Sequence, residues 1–443
     1  MPYLAIAIIT IGIAALGLAM FKDELGTAPR LLAIAGGVLA LFTGVAMVSS
    51  HLVKPLASVL GWPAERIGGA AGRLAKGNSM RNPGRTASTA AALMIGVALV
   101  TFIAVLANGM KASNRGAIED QVKADYVVTA QDGFSPFVTG AADALDSSSD
   151  ADLVTSVRAE LGKVAGEAQY VTGIQPADIA QAYVFEWEDG SNAVLASLGR
   201  NGAIVAKDFA DKKNLEIGDN VKLLTPSGRT ASLVVRGIYK PPPFFPLLGS
   251  VSVSQAAFDS FYERPRNSFV FVNTAIDDVA TTAGLEQAVA DFPDAKVQTR
   301  EAWIDSQDED FNQFLILLYV LLTLSVVVSI FGMINTLVLT VFERTRELGM
   351  LRAVGMTRRQ ARRMVRHESI ITALIGAALG LPLGIFLALL MTRALSQFDV
   401  RIAIPVQQLV IFAIVAIIVG ILAAIIPARR AAKLNVLRAL QYE

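Results

Sequence analysis

Long apolar runs alternate with polar stretches along this chain, and their lengths set the first expectation. Apolar positions crowd into Leu4–Phe21, Leu31–Ser50, Thr86–Asn108, Phe311–Phe342, Ser369–Leu395 and Val406–Pro427. About 20 consecutive apolar residues cross the ~30 Å hydrocarbon core of a bilayer, so the pattern predicts six transmembrane helices, the first being the shortest. No basic residue precedes Leu4–Phe21 and a second run follows almost at once, which favours a retained helix over a cleaved signal peptide. Phe311–Phe342 stands apart, because as a helix it would be ~48 Å long, well beyond a simple crossing.

Between the third and fourth runs the pattern changes to that of a mixed α/β domain. Strands are predicted at Tyr126–Thr129, Tyr183–Trp187, Ala193–Ala196, Val221–Leu224, Ser232–Tyr239, Val251–Val253 and Phe269–Val272. Helices are predicted at Ala151–Leu161, Gln255–Tyr262 and Ala280–Asp291, with Gly133–Asp150 as a long surface loop. Thr225-Pro-Ser-Gly228 suits a hairpin turn. The run Pro241-Pro-Pro-Phe-Phe-Pro246 and the following Leu247 and Leu248 are stiff and apolar. Pro241, Phe244, Phe245, Leu247 and Leu248 form either a contact surface for a partner or substrate or a rigid turn tucked against the domain.

Composition agrees with the membrane reading. Of 443 residues, 53% are apolar and 17% charged, with a mean hydropathy of +0.51, against about 25% charged for a soluble domain. Disorder, collagen and coiled coil are excluded on the same grounds. The chain has no cysteine, and His51 and His367 are far apart in sequence, so neither a thiol nucleophile nor a metal site is expected. Gly72–Ser79 approaches a phosphate-binding loop but lacks the lysine before the serine and follows no strand. No cofactor, catalytic residue or nucleic-acid partner is expected.

Charge then orients the helices. Residues 111–310 carry a net −13 and the remainder +14. Basic residues gather in 51–85, in 343–367 and after Pro427, while the short loops 22–30 and 396–405 hold few. Positive residues mark the cytoplasmic side, which puts both termini inside and 111–310 outside. Trp62–Asn78 reads as an interfacial elbow helix, apolar along Ile67, Ala70, Ala71 and Leu74, with Arg66, Arg73 and Lys76 turned to lipid headgroups. Gly376, Gly380 and Gly384 form a small-residue ridge that admits a close helix neighbour, from this chain or from a partner subunit.

The densest signal is Glu343–Gln360. Its first part presents Leu348, Leu351 and Val354 on one side, Gly355 suits a helix stop, and Thr357 with Gln360 makes a capping box. A short helix–turn–helix beneath the membrane results, shaped to dock on a soluble partner. The run Glu343-Arg344-x-Arg346-Glu347-Leu348-Gly349-x-x-Arg352-Ala353-Val354-Gly355 resembles the signature of FtsX/MacB-type ABC transporter permeases. Gly332-Met-Ile-Asn335-Thr336 is similar to the span before that loop, Arg81-Asn-Pro-Gly-Arg85-Thr86 to the beginning of a family module, and Pro427–Leu440 to its ending.

The resemblance implies a module of one helix, an outer domain and three helices, here from Thr86 onward. The two earlier helices look like the central pair of a two-module, ten-helix permease, so the chain resembles the C-terminal half of such a protein, as a fragment or a separate subunit. The implied domains are a linker pair of helices at 1–61, a cytoplasmic amphipathic elbow at 62–85 and a third transmembrane helix at 86–110. A MacB-like α/β domain follows at 111–310, then an FtsX-like three-helix permease domain at 311–443 with a coupling loop at 343–367. Also implied are a cytoplasmic ABC ATPase dimer as partner, a second permease half or identical copy, membrane lipids, and a bacterial plasma membrane. Glu343, Arg344, Arg346, Glu347 and Arg352 would make polar contacts to the ATPase, Leu348 and Leu351 would be apolar anchors, and Gly355 would close the turn. The implied function is mechanotransmission for export or extraction of lipid-like, amphiphilic or peptide substrates. The alternatives are a non-transporting relay regulating a cell-wall hydrolase and a ligand-sensing receptor.

Overall fold

The computed structural model describes residues 2–21, 27–242, 246–394 and 400–434. The chain divides into two compact units: 1–110 with 313–396 and 400–443, and 111–312 with 397–399.

The first unit is helical. Helices α1 (Pro2–Phe21) and α2 (Thr27–Leu60) pack as an antiparallel pair, followed by α3 (Trp62–Arg81) and α4 (Pro83–Gln121). The C-terminal part contributes α10 (Arg300–Glu343), α11 (Thr345–Ala353), α12 (Arg358–Ala394), α13 (Val406–Ala423) and α14 (Ile425–Lys433). Among the described residues, five helices are long and apolar enough to cross a membrane: Leu32–Leu60, Pro83–Gln121, Val326–Glu343, Arg358–Arg393 and Val406–Lys433. Tyr3–Ala19 is a shorter apolar stretch, so the expected count of six stands at five plus one short helix. Inside α3, Gly69 adopts φ +56°, ψ −132°, and Ile67 is exposed while Ala64, Ala71 and Ala75 are buried.

The second unit is built on a ten-stranded sheet: β1 (Tyr126–Ala130), β2 (Leu153–Val164), β3 (Glu167–Ile174), β4 (Glu186–Asp189), β5 (Gly202–Ala206), β6 (Asn220–Leu224), β7 (Thr230–Lys240), β8 (Val251–Ser254), β9 (Asn267–Asn273) and β10 (Ala295–Thr299). Their order is β10-β1-β9-β2-β3-β8-β5-β7-β4, with β6 paired to β2 and β7. The helices of this unit are α5 (Gly140–Asp146), α6 (Ile179–Ala182), α7 (Lys207–Lys213), α8 (Gln255–Phe261) and α9 (Val279–Ala288). The expected turn closes β6 on β7: Gly228 takes φ +84° and its N–H donates to the Thr225 carbonyl at 3.0 Å. Glycine reaches that left-handed backbone without steric cost.

Three expectations fail here. Ala151–Leu161, predicted helical, lies mostly in β2, which pairs with both β3 and β9. Val154, Thr155 and Val157 are buried there, and β-branched residues fit a pleated surface better than a helix. Ala193–Ala196 lies in a 3₁₀ turn, Asn192–Ser197, and the long loop contains α5.

The edge strand β4 carries Glu186, Glu188 and Asp189, charges that discourage pairing with another sheet. Glu188 accepts from Lys207 at 2.6 Å and pairs with Lys240 at 2.7 Å. The two ammonium groups lower its pKa from 4.5 to about 2. A depressed carboxylate stabilises the fold above its unfolded value and loses that effect as the pH falls through its folded value. Glu188→Gln should therefore slightly lower the thermal midpoint of the full chain in detergent at pH 7. The difference from the native chain should close between about pH 4.5 and about pH 2, and a pH-independent difference would refute the ion-pair origin.

Candidate coupling site

The helix α10 ends at Glu343 because Arg344 leaves the helical region (φ −98°, ψ 16°), and α11 restarts at Thr345. The nine residues of α11 end in a left-handed Gly355, φ +115°, with Gly355 N–H donating to Arg352 O at 3.2 Å and Met356 N–H to Leu351 O at 3.0 Å. These bonds satisfy the last carbonyls of the helix. Gln360 N–H donates to Thr357 Oγ1 at 3.2 Å and Thr357 N–H to Gln360 Oε1 at 2.8 Å, the reciprocal box that starts α12.

The loop is pinned by charge. Glu343 pairs with Arg85 of α4 at 2.6 Å. Arg344 reaches Glu347 at 2.8 Å and Glu368 of α12 at 3.5 Å, and Glu368 accepts from Asn78 of α3 at 3.4 Å. Arg352 donates to the carbonyl of Leu434, just past α14. The end of α10, α11 and the starts of α4 and α12 are thus tied through side chains that sequence spacing places far apart. Arg85, Asn78 and Glu368 were not foreseen as partners, since only folding brings residues 78–85 against 343–368.

Leu348, expected as a docking anchor, is 3% exposed and packs with Val341, Met364, Val365 and Ala428 in the unit's own core. It holds α11 in place and cannot meet a partner. Leu351 is half-buried. The exposed row is instead Arg346, Met350 and Val354, spaced four apart, with Val354 89% exposed. Arg346 has no ion pair among the described residues.

The glycine ridge of α12 lies against α4. A Cβ on Gly376, Gly380 or Gly384 would stand 2.9, 2.7 and 2.4 Å from the carbonyl oxygens of Ala90, Met94 and Ala98 respectively. Both helices step by four, so the backbones run in contact over two turns. Of the two partners open from sequence, α4 of the same chain takes the ridge.

In the outer unit, Leu247 and Leu248 are buried in the core with Tyr239 and Phe185. Of the two readings open from sequence, Leu247 and Leu248 take the tucked one, because their aliphatic mass fills the domain interior. Pro241 is half-buried, and Phe244 and Phe245 lie outside the described residues.

Comparison with known proteins agrees with this architecture. Residues 86–292 match the MacB-like periplasmic core domain and 319–436 the FtsX-like permease C-terminal domain. The chain is 22% identical over 353 residues to the ABC transporter permease protein Rv0987 of Mycobacterium tuberculosis, covering 73% of this chain and 39% of that protein. It is 30% identical over 150 residues to the pyoverdine export ATP-binding/permease protein PvdT of Pseudomonas putida, covering 34% and 22%. The chain thus spans well under half the length of either relative. The extracellular domain of YknZ, a noncanonic ABC-type transporter from Gram-positive bacteria, aligns with 15% identity and a TM-score of 0.30, covering 40% of this chain and 99% of that one. With both domain families in this order, helices able to span a membrane and an outer α/β domain, the chain is an ABC transporter permease of the FtsX/MacB type.

Proposed function

We propose that this chain couples ATP hydrolysis by a separate cytoplasmic ATPase dimer to movement of its extracytoplasmic domain, for export or extraction of an amphiphilic, lipid-like or peptide substrate. In this reading α1 supplies a sixth span, both termini are cytoplasmic, residues 111–310 lie outside, and the membrane is a bacterial plasma membrane. The observation that carries it is the exposed Arg346–Met350–Val354 row on a nine-residue helix. Ion pairs and a buried leucine fix that helix to its neighbours. An apolar pair rimmed by charge, on a rigid mount, fits a soluble partner better than lipid. A push on α11 is passed on by α10, one unbroken helix of 44 residues whose first residues belong to the outer unit. The export named for the Pseudomonas putida relative supports the direction of transport.

The chain should co-purify with an ATPase in mild detergent. Met350→Asp combined with Val354→Asp should weaken that association by about 2–4 kcal/mol, thirtyfold or more, as for the loss of interface hot spots. Stimulated ATP turnover should disappear while the chain still inserts. Undiminished co-purification of the double variant would refute the docking role. The absence of cysteine makes topology directly testable. Ser227→Cys should react with an impermeant maleimide in intact cells and Thr357→Cys should not, and the reverse pattern would overturn the orientation.

A further inference from the structure

The outer unit carries an open cleft of about 630 Å³, walled by α7, the loop 214–217 that follows it and the edge strand β4. Clefts that hold small ligands run from roughly 300 to 1,000 Å³. The floor is apolar, with Ala210 and Ile238 buried and Leu215 half-buried. Ile217 stands on the rim, 53% exposed.

The polar lining is one-sided in charge. Four carboxylates, Glu188, Asp189, Asp211 and Glu216, share the cleft with one ammonium, Lys207. Lys207 stands 2.6 Å from Glu188 and 3.8 Å from Asp211, and Lys240 is the second partner of Glu188 at 2.7 Å. Asp189 and Glu216 make no ion pair among the described residues. The cleft therefore keeps uncompensated negative charge above an apolar floor, and low-dielectric walls focus the field of such a site.

This lining selects an organic cation over a metal ion. Among the described residues no three acidic or histidine side chains come together in a group able to hold a metal. A lysine or arginine side chain fits both parts of the lining, because its aliphatic stem lies along apolar surface while its charged head stays at the polar rim. The edge strand adds main-chain recognition. β4 pairs only with β7 and ends the sheet order, so its outer N–H and C=O groups can accept an extended peptide as an added strand. Acidic side chains on that edge oppose an ordinary strand and favour a basic one.

We propose that this cleft binds a short, extended peptide carrying lysine or arginine, its basic side chains at Asp189 and Glu216 and its backbone along β4. The inference concerns the outer unit alone and does not rest on docking of an ATPase. Binding scored without nucleotide or partner therefore succeeds or fails independently of the coupling proposal.

The test uses the full chain in detergent and a fluorescein-labelled Lys-Leu-Lys-Leu-Lys amide, followed by anisotropy. Binding should be saturable and should weaken as ionic strength rises. Asp189→Asn combined with Glu216→Gln should weaken it roughly tenfold, and Ile217→Ser should weaken it several-fold. Asp143→Asn combined with Glu160→Gln removes the same charge from exposed positions outside the cleft and should leave binding native. Equal weakening by the two double variants would mean attraction to the net charge of the unit and overturn the proposal. So would native affinity in the cleft variant, equal binding of a Glu-Leu-Glu-Leu-Glu amide, or equal competition by lysine amide alone.

Discussion

Replacing Gly384 by valine should disrupt the packing of α12 against α4. A Cβ at that position stands 2.4 Å from the Ala98 carbonyl oxygen and 2.6 Å from Thr101 Cβ. These atoms belong to the backbone and to a β-carbon, and neither can rotate away. The helices must separate by about an ångström, and overpacking of this kind costs roughly 1–3 kcal/mol before neighbouring contacts are counted. Those contacts include Ala98, Leu383 and Leu387, which share one buried cluster. In membranes, close backbone approach between small residues replaces the hydrophobic drive as the source of helix association, so the loss has no easy compensation. The variant should lose its monodisperse elution in detergent and aggregate several degrees below the native chain. Gly17→Ala, where no atom lies within 4 Å of the added carbon, should behave as native. A native-like melting profile for Gly384→Val would show that the contact is not tight.

Glu368→Ala should loosen α11. Glu368 and Arg344 have side chains only 14% exposed and stand 3.5 Å apart, with Asn78 completing the carboxylate's partners. Removing one member of a buried pair leaves the other charge without compensation, an effect of about 3 kcal/mol or more. Arg344 keeps Glu347, but that carboxylate is 58% exposed and contributes little. The expected result is faster tryptic cleavage after Arg346 and Arg352, because local opening of α11 governs access. Replacing both partners by leucine should restore much of the protection, since an apolar pair of similar volume avoids the desolvation cost. Equal cleavage of single variant, double variant and native chain would show that the pair does not hold α11.

The turn after α11 was legible residue by residue. Gly355 as the stop and Thr357 with Gln360 as the restart depend on backbone chemistry within a few residues. The facing of α11 was not legible, because helical periodicity defines a stripe but does not say which stripe the rest of the chain covers. Leu348 went inward, and Met350 and Val354 were left outside. The break inside α3 was not legible either: Gly69, with its positive φ, shifts the phase of every residue after it. In the outer unit, Ala151–Leu161 contains good helix formers, yet β2 lies between β3 and β9, and pairing on both sides outweighs a weak local propensity.

Sequence alone determined the membrane character, the location of the outer domain between two helices and the punctuation of the turn between α11 and α12. Each rests on solvent or on neighbours along the chain: hydrocarbon tolerates only long apolar runs, and caps act over one turn. Tertiary structure decided that the glycine ridge meets α4, that Glu343, Arg344 and Glu368 are engaged within the chain, and that Leu247, Leu248 and Leu348 are core. Those outcomes depend on which surfaces of distant segments come together, a property of packing that no local pattern encodes.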